Sequence, residues 1–313
     1  MLEHLTLRAQ PVVDRLRAEL DAFLLSRQAM RCTGKTLDMY EYALGGFLDW
    51  LQGQGVQDVN ALTAGHIRAF LVHLEKRGLR DTTIHQHARA IRAWCNWLVA
   101  EGSLSLSPMK RVAMPRLEKR IPAPFTADDV RKLLAACDRK TAIGARDFAL
   151  LLTLLDSGLR LAECASLEAG DFDAQTGTAL IMGKGRKARQ CVIGAKARAA
   201  ILRMLAHRPG VKNGDSLWAA YDGQGQVKGA LTAHGIQVTL RRLGARANVI
   251  PCGPHRFRRT FCLWMLRSGC DLEHLRLLMG HSGYTVLWRY LALTGDDLAR
   301  AHREHSPVDV LLR

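Results

Sequence analysis

No stretch of this 313-residue chain stays apolar for the roughly 18–20 residues that a bilayer-spanning helix needs. The longest candidate, FALLLTLL at 148–155, suits a buried helix instead. The opening residues, MLEHLTLRAQPVVDRL, lack the apolar core and small-residue cleavage site of a secretory signal, so a cytoplasmic location is expected. The eight cysteines (Cys32, Cys95, Cys137, Cys164, Cys191, Cys252, Cys262 and Cys270) include no CxxC pair and show no zinc-ligand spacing. Reduced, mostly buried thiols are expected, and no metal site. There is no G-x-x-x-x-G-K-[ST] phosphate loop and no evident carboxylate cluster for magnesium.

Acidic residues are in short supply. Lys and Arg number 45 against 29 Asp and Glu, a net charge of +16 and a pI near 9.9. The imbalance is local: residues 1–109 carry 12 basic and 11 acidic side chains, whereas residues 110–313 carry 33 and 18. A field of this sign attracts polyanions and speeds encounter with them. Read alone, the excess is equally an ordinary solvated basic surface.

The length favours two domains. Residues 11–107 read as a helical domain. Leu37, Tyr40, Leu44, Phe47, Leu48 and Leu51 recur at helical spacing, Thr63 can cap a second helix, and Asp81 can cap a third that stops near Gly102. The stripe of that third helix is Ile84, Ala88, Ile91, Trp94, Cys95 and Leu98; Arg80, His85, Arg89 and Arg92 lie off it. Residues 108–124, with four prolines and Lys110 and Arg111, read as a basic, extended linker. From 125 onward the pattern is mixed. Thr126 and Asp129 form a capping box, an apolar helix ends at Gly158, and short strands are expected at 171–173, 178–182 and 189–194. Residues 183–187 turn between the last two strands. Helices are expected at 195–207, 231–246, 254–268, 271–279 and 284–293, followed by a charged tail. The fold class is therefore mainly α, with an α+β second domain holding a small antiparallel sheet.

Six residues of that second domain stand out: Arg160 in SGLRLAECASL, Lys184 in MGKGRKARQ, His255 and Arg258 in GPHRFRRTF, and His281 and Tyr290 in MGHSGYTVLWRYLAL. Attack on a phosphodiester puts charge on two non-bridging oxygens, and preorganised guanidinium forks match that geometry. His255 and Arg258 share a helix face at i, i+3, and Pro254 suits the first turn of that helix, whose N-terminus itself favours an anion. Gly183 and Gly185 let the backbone around Lys184 approach a substrate, and a desolvated lysine can act as a general acid. A tyrosine oxygen can form a covalent intermediate. Taken singly each has a bland reading: HxxR as a surface pair, Lys184 as a solubilising hairpin lysine with Lys187 its rival, His281 as a helix cap, Tyr290 as a core tyrosine.

Their joint order resembles the tyrosine recombinase (phage integrase) family, closely over about 122–295 and loosely over the helical N-terminal region. GLRLAE, GKG, HRFR, MGH and RY at 289–290 are similar to that family's successive boxes. Position 259 is Arg where many members have His, and position 279 is Met rather than Leu. The resemblance implies an N-terminal SAM-like core-binding domain and a catalytic domain. It implies Tyr290 as nucleophile, Arg160, His255, Arg258 and His281 around the phosphate, Lys184 as general acid, and Glu163 in a structural role near Arg160. It implies a site-specific DNA recombinase working through a 3′-phosphotyrosine and a Holliday junction, in integration, excision or transposition of a mobile element. No cofactor is implied. The partners implied are double-stranded DNA and a homotetramer on two sites, with C-terminal tails docking on neighbouring subunits. Arg80, His85, Arg89, Arg92, Lys110, Arg111, Arg186, Lys187, Arg256 and Arg259 are the DNA-facing candidates. A type IB topoisomerase shares this chemistry, and an accessory DNA-binding protein is the reading from another class.

Overall fold

The computed structural model describes residues 15–117, 123–182, 188–280, 283–284, 299, 302–303, 306 and 308. The chain divides into two compact units, Met1–Arg120 and Ile121–Arg313.

The first unit is helical: α1 (Arg15–Ala29), α2 (Gly34–Gly53), α3 (Ala64–Lys76) and α4 (Asp81–Ala100). The Thr63 hydroxyl accepts from the His66 amide at 3.2 Å, and His66 Nδ1 accepts from the Thr63 amide, which closes a capping box at the start of α3. The cap of α4 differs from expectation. Arg80 occupies the N-cap position, and Asp81 is the first helical residue, where its charge meets the positive end of the helix. The whole expected stripe of α4 is buried, together with Ala43, Leu44, Phe47, Leu48 and Leu51 of α2. Aromatic rings fill the centre: Phe47 lies 4.9 Å from Phe70 and 6.5 Å from Trp94, centroid to centroid. Each such fully buried side chain contributes about 1.5–3 kcal/mol.

The beginning of the expected linker is a correction. Pro108–Arg111 forms a 3-10 turn, and Met109 and Val112 are buried in the core of the first unit. Proline suits a first helical position, and apolar residues at 104, 109 and 112 anchor the segment before it leaves the core.

The second unit is built from α5 (Ala127–Ala135), α6 (Ala142–Ser157), α7 (Leu161–Ala165), β1 (Phe172–Asp173), β2 (Thr178–Met182), β3 (Ala188–Val192), α8 (Ala195–Ala206), β4 (Ala219–Tyr221), β5 (Val227–Ala230), α9 (Ala233–Arg246), α10 (Pro254–Arg267) and α11 (Leu272–Met279). The capping box of Thr126 and Asp129 forms as expected. α6, apolar nearly all round, packs against α8 and α10. Strands β1, β2 and β3 form an antiparallel sheet in that order, with Ile181 opposite Arg189 and Met182 opposite Ala188. Its inward face contributes Ala179, Ile181 and Cys191 to the core. The β4–β5 hairpin was not expected, because Gly- and Gln-rich residues 222–230 carry no alternating pattern.

This unit also buries charge. Arg146 donates to Asp147 Oδ1 (2.9 Å from Nε) and to the Ala219 carbonyl (2.9 Å), and Arg242 donates to Asp147 Oδ2 (3.1 Å). The network ties α6, α9 and the β4–β5 hairpin together. All eight cysteines are free, and burial pushes the thiols of Cys95, Cys137 and Cys252 up to about 12. No helix among the described residues is long and apolar enough to cross a membrane.

Candidate active site

The site begins where α6 stops. Gly158 ends that helix in the left-handed conformation (φ +58°), and a Cβ there would overlap the Phe261 ring and sit 3.1 Å from Met279 Sδ. Only glycine lets the chain turn this close to α10 and α11. The turn delivers Arg160 to the N-cap of α7, with its side chain 40% exposed.

Glu163, one turn into α7, organises the charge. Its Oε2 accepts from the Arg160 amide (2.8 Å) and from Arg189 Nη2 (3.1 Å), while Oε1 accepts from Arg160 Nη1 (2.7 Å). The carboxylate is buried, at 4% exposure. Burial alone would raise its pKa, but the hydrogen bonds from Arg160 and the charge of Arg189 outweigh it and hold the group below the ordinary carboxylate value.

Three arginines meet the C-terminal end of α11. Arg189 Nη1 donates to the Leu278 carbonyl (2.9 Å), Arg258 Nη2 to Met279 (2.6 Å) and Arg160 Nη2 to Gly280 (3.1 Å). Arg258 also donates through Nη1 to the Gly158 carbonyl. These helix-end carbonyls lack intrahelical partners and carry the negative end of the dipole, so cations from α7, β3 and α10 gather on them. Three guanidinium groups against one carboxylate leave a locally positive site. Arg160 is its open member and Arg258, 2% exposed, its buried one. His255 is exposed on the first turn of α10, one turn before Arg258, with Pro254 as the first helical residue.

The structure thus brings Arg160 and Arg258 together at the end of α11, with His255 on the same helix as Arg258. Lys184, His281 and Tyr290, together with Arg186 and Lys187, lie outside the described residues. So does almost all of the expected tail.

The DNA-facing candidates divide. Arg80, Arg89 and Arg92 are exposed on or just before α4, and Lys110 and Arg111 are exposed after it. His85 is half-buried, and its Nδ1 lies 3.0 Å from the Pro115 carbonyl, so it fastens the segment after α4. Arg256 donates to the carbonyls of Ala123, Pro124 and Pro251 and to Asp129 (3.0 Å), and its guanidinium stacks 4.1 Å from the Phe125 ring centroid. Its charge staples the start of the second unit to α10. Arg259 is buried within α10. On a helix packed along α6, the positions after Arg258 turn inward.

Two further side-chain arrangements escaped the sequence reading. Arg189 is one; its signal was a cation on the inward face of a strand, in alternation with buried Cys191. The other is Tyr284, whose hydroxyl donates to Glu273 Oε2 (2.5 Å), while Arg276 donates to the same carboxylate and lies 5.8 Å from the tyrosine ring. The hydrogen bonds from Arg276 and Tyr284 pull Glu273 down to about 2.

Comparison with known proteins agrees along the chain. Residues 20–102 match the phage integrase N-terminal SAM-like domain, and residues 124–295 match the phage integrase family. Among similar curated proteins, a tyrosine recombinase XerC from Xanthomonas axonopodis pv. citri (strain 306) is 30% identical over 302 residues, covering 93% of this chain and 97% of the relative. A tyrosine recombinase XerC from Xanthomonas campestris pv. campestris (strain B100) is 28% identical, covering 95% and 91%. Among solved structures, the Tn1549 transposon integrase (residues 82–397) in complex with circular intermediate DNA superposes with a TM-score of 0.71 at 19% identity, over 93% of this chain and 99% of that one. A lambda integrase (75–356) dimer bound to a COC′ core site gives 0.70 at 15% identity, over 89% and 96%. With both of its units matched, this chain belongs to the phage integrase family and is a tyrosine recombinase, an enzyme of site-specific recombination.

Proposed function

We propose that this recombinase cuts and rejoins duplex DNA through a 3′-phosphotyrosine on Tyr290 and a Holliday junction. The observation that carries the reading is the convergence of Arg160 and Arg258 on the last carbonyls of α11, directly before His281 in the chain. Their partners there are neutral carbonyl oxygens. The non-bridging oxygens of a scissile phosphate are stronger acceptors, and guanidinium–phosphate bonds are roughly twice as strong as neutral ones. Donors already gathered at one place need little reorganisation as charge develops on phosphorus.

In this reading the Tyr290 oxygen attacks phosphorus and the bond to the 5′-oxygen breaks. Lys184 gives that oxygen its proton, and His255 or His281 takes the proton of the phenol. Arg160 and Arg258 hold the two non-bridging oxygens. The 5′-hydroxyl of a partner duplex then attacks the phosphotyrosine and releases Tyr290. Because the phosphotyrosine keeps the phosphodiester's reactivity, no nucleotide or metal enters the balance. Arg80, Arg89, Arg92, Lys110 and Arg111 hold phosphates outside the site, and four copies act on two DNA sites with exchanged tails. Integration, excision or transposition of a mobile element is the setting. The similarity to proteins named tyrosine recombinase XerC supports the recombinase chemistry of this reading.

The test is strand exchange between two differently labelled duplexes carrying the chain's own genomic flanks, in EDTA. Recombinant products with four-way intermediates are expected. Relaxation of supercoils without exchange would replace the recombinase by a topoisomerase. Salt-sensitive binding with neither product would leave an accessory DNA-binding protein.

A further inference from the structure

We infer that Arg189 is a positioning residue for this chemistry, setting Arg160 through Glu163 and the end of α11 through the Leu278 carbonyl. The inference rests on the recombinase reading above and deepens it.

Arg189 stands on a rigid base. Its strand is held in register by β2, with Ile181 directly opposite, and Cys191, the next inward residue, is in the core. From there one guanidinium serves two acceptors on two other elements: Glu163 Oε2 on α7 and the Leu278 carbonyl on α11. Glu163 Oε2 also accepts from the Arg160 amide, so Arg189 fixes the carboxylate that orients Arg160. The site is shaped around this side chain. Gly280 is left-handed (φ +61°), and a Cβ there would sit 2.5 Å from Arg189 Nε. Arg189 is 17% exposed, against 40% for Arg160. One side chain therefore ties together the arginine at α7 and the C-terminal end of α11. Misplacement of a reacting group by about 1 Å can cost on the order of a hundredfold in rate, so a residue with this role acts on turnover more than on binding.

The experiment is single-turnover adduct formation on nicked duplex at saturating DNA, with the full chain, for the parent, Arg189→Met and Arg189→Lys. Rate constant and end-point amplitude are read separately, and the dissociation constant for the same DNA and the melting temperature are measured alongside. Arg189→Met is expected to lower the rate constant by about ten- to a hundredfold at full amplitude, with DNA affinity within about threefold. Arg189→Lys, a point charge that reaches one acceptor at a time, is expected to recover part of the rate. A loss of amplitude or melting temperature with an unchanged rate constant would make Arg189 merely structural and overturn the proposal. So would an unchanged rate, or the same loss in Lys and Met. Should Arg189→Met not fold, the Lys variant decides alone: a parental rate constant overturns the proposal, and a reduced one at full amplitude supports it. Absence of any adduct from the parent would sink the recombinase reading itself, a different outcome from all of these.

Discussion

The two units of this protein bury different things. The first hides aromatic and aliphatic side chains around Phe47, Phe70 and Trp94, and its buried polar groups are His87 and Ser107 among the described residues. The second hides Arg146, Asp147, Glu163, Arg258 and Arg259. Burying charge contributes little net stability, and a well-packed apolar core does better. A unit that accepts buried ion pairs gains fixed charge positions in return. In this chain two of those positions, Glu163 and Arg258, order the arginines at the end of α11, and Arg146 and Asp147 order the β4–β5 hairpin. The unit with the apolar core carries 17 basic and 12 acidic side chains, and the unit with buried arginines carries 28 and 17, the larger share of the excess basic charge.

Breaking the difference at its strongest point means removing one charge from the second unit. Asp147→Ala leaves Arg146 buried with no carboxylate on Nε or Nη2, and is expected to cost about 3–5 kcal/mol, read from chemical denaturation. Trp94→Ala is the matching loss in the first unit, about 3–5 kcal/mol through a cavity with no charge involved. The double substitution Arg146→Met with Asp147→Leu separates them, since replacing both partners by apolar groups is expected to recover most of the loss, and no equivalent rescue exists at Trp94. Next in size, Arg258→Met is expected to slow adduct formation by about a hundred- to a thousandfold, measured as a single-turnover rate.

The first unit was largely legible because its core follows one period. The spacing of Ile84, Ala88, Ile91, Trp94, Cys95 and Leu98 states which face of α4 is buried, and no tertiary detail overrides it. His87 interrupts that pattern. It is buried because its Nδ1 meets the Ala43 carbonyl at 3.1 Å, a partner 44 residues away that periodicity cannot supply. In the second unit the capping box at Thr126, the glycine stop at 158 and the sheet strands β2 and β3 were legible from local chemistry. The contacts of Arg189 and Arg256 were not legible, for one reason. Each is a cation whose role depends on acceptors distant in sequence, Leu278 for the first and Ala123 and Asp129 for the second. Residue type told that they were basic, and only the fold told what they hold. The β4–β5 hairpin lacked a readable alternation and is fastened partly through Arg146 to Ala219.

Smaller effects sharpen the comparison further. Arg80→Ala, Arg89→Ala and Arg92→Ala, exposed on the first unit, are each expected to lower the log–log salt slope of DNA binding by about 0.9 without changing the melting temperature. A slope change at none of them would remove this face of α4 from phosphate contact. The smallest effects are in pH. Burial lowers the pKa of His87 from 6.5, the hydrogen bond to Ala43 opposing it. Below pH 6.5 the unfolded chain therefore binds a proton that the folded one refuses, and stability falls as pH drops through that range. His87→Gln is expected to flatten this dependence in melting curves. Glu163 is lowered from 4.5, so its contribution is present above that value and disappears only as pH falls below it. The first unit should thus feel mild acid before the carboxylate of the second does.

The central claim, that the arginines at the end of α11 serve a tyrosine nucleophile, is tested most directly by covalent trapping. Nicked duplex from the chain's own genomic flanks is incubated with the protein in EDTA, and the adduct is digested and mapped by mass spectrometry. The account expects a phosphonucleotide on Tyr290, lost in Tyr290→Phe and retained at a much slower rate in Arg258→Met. An adduct on another residue, or one that survives Tyr290→Phe, would contradict it.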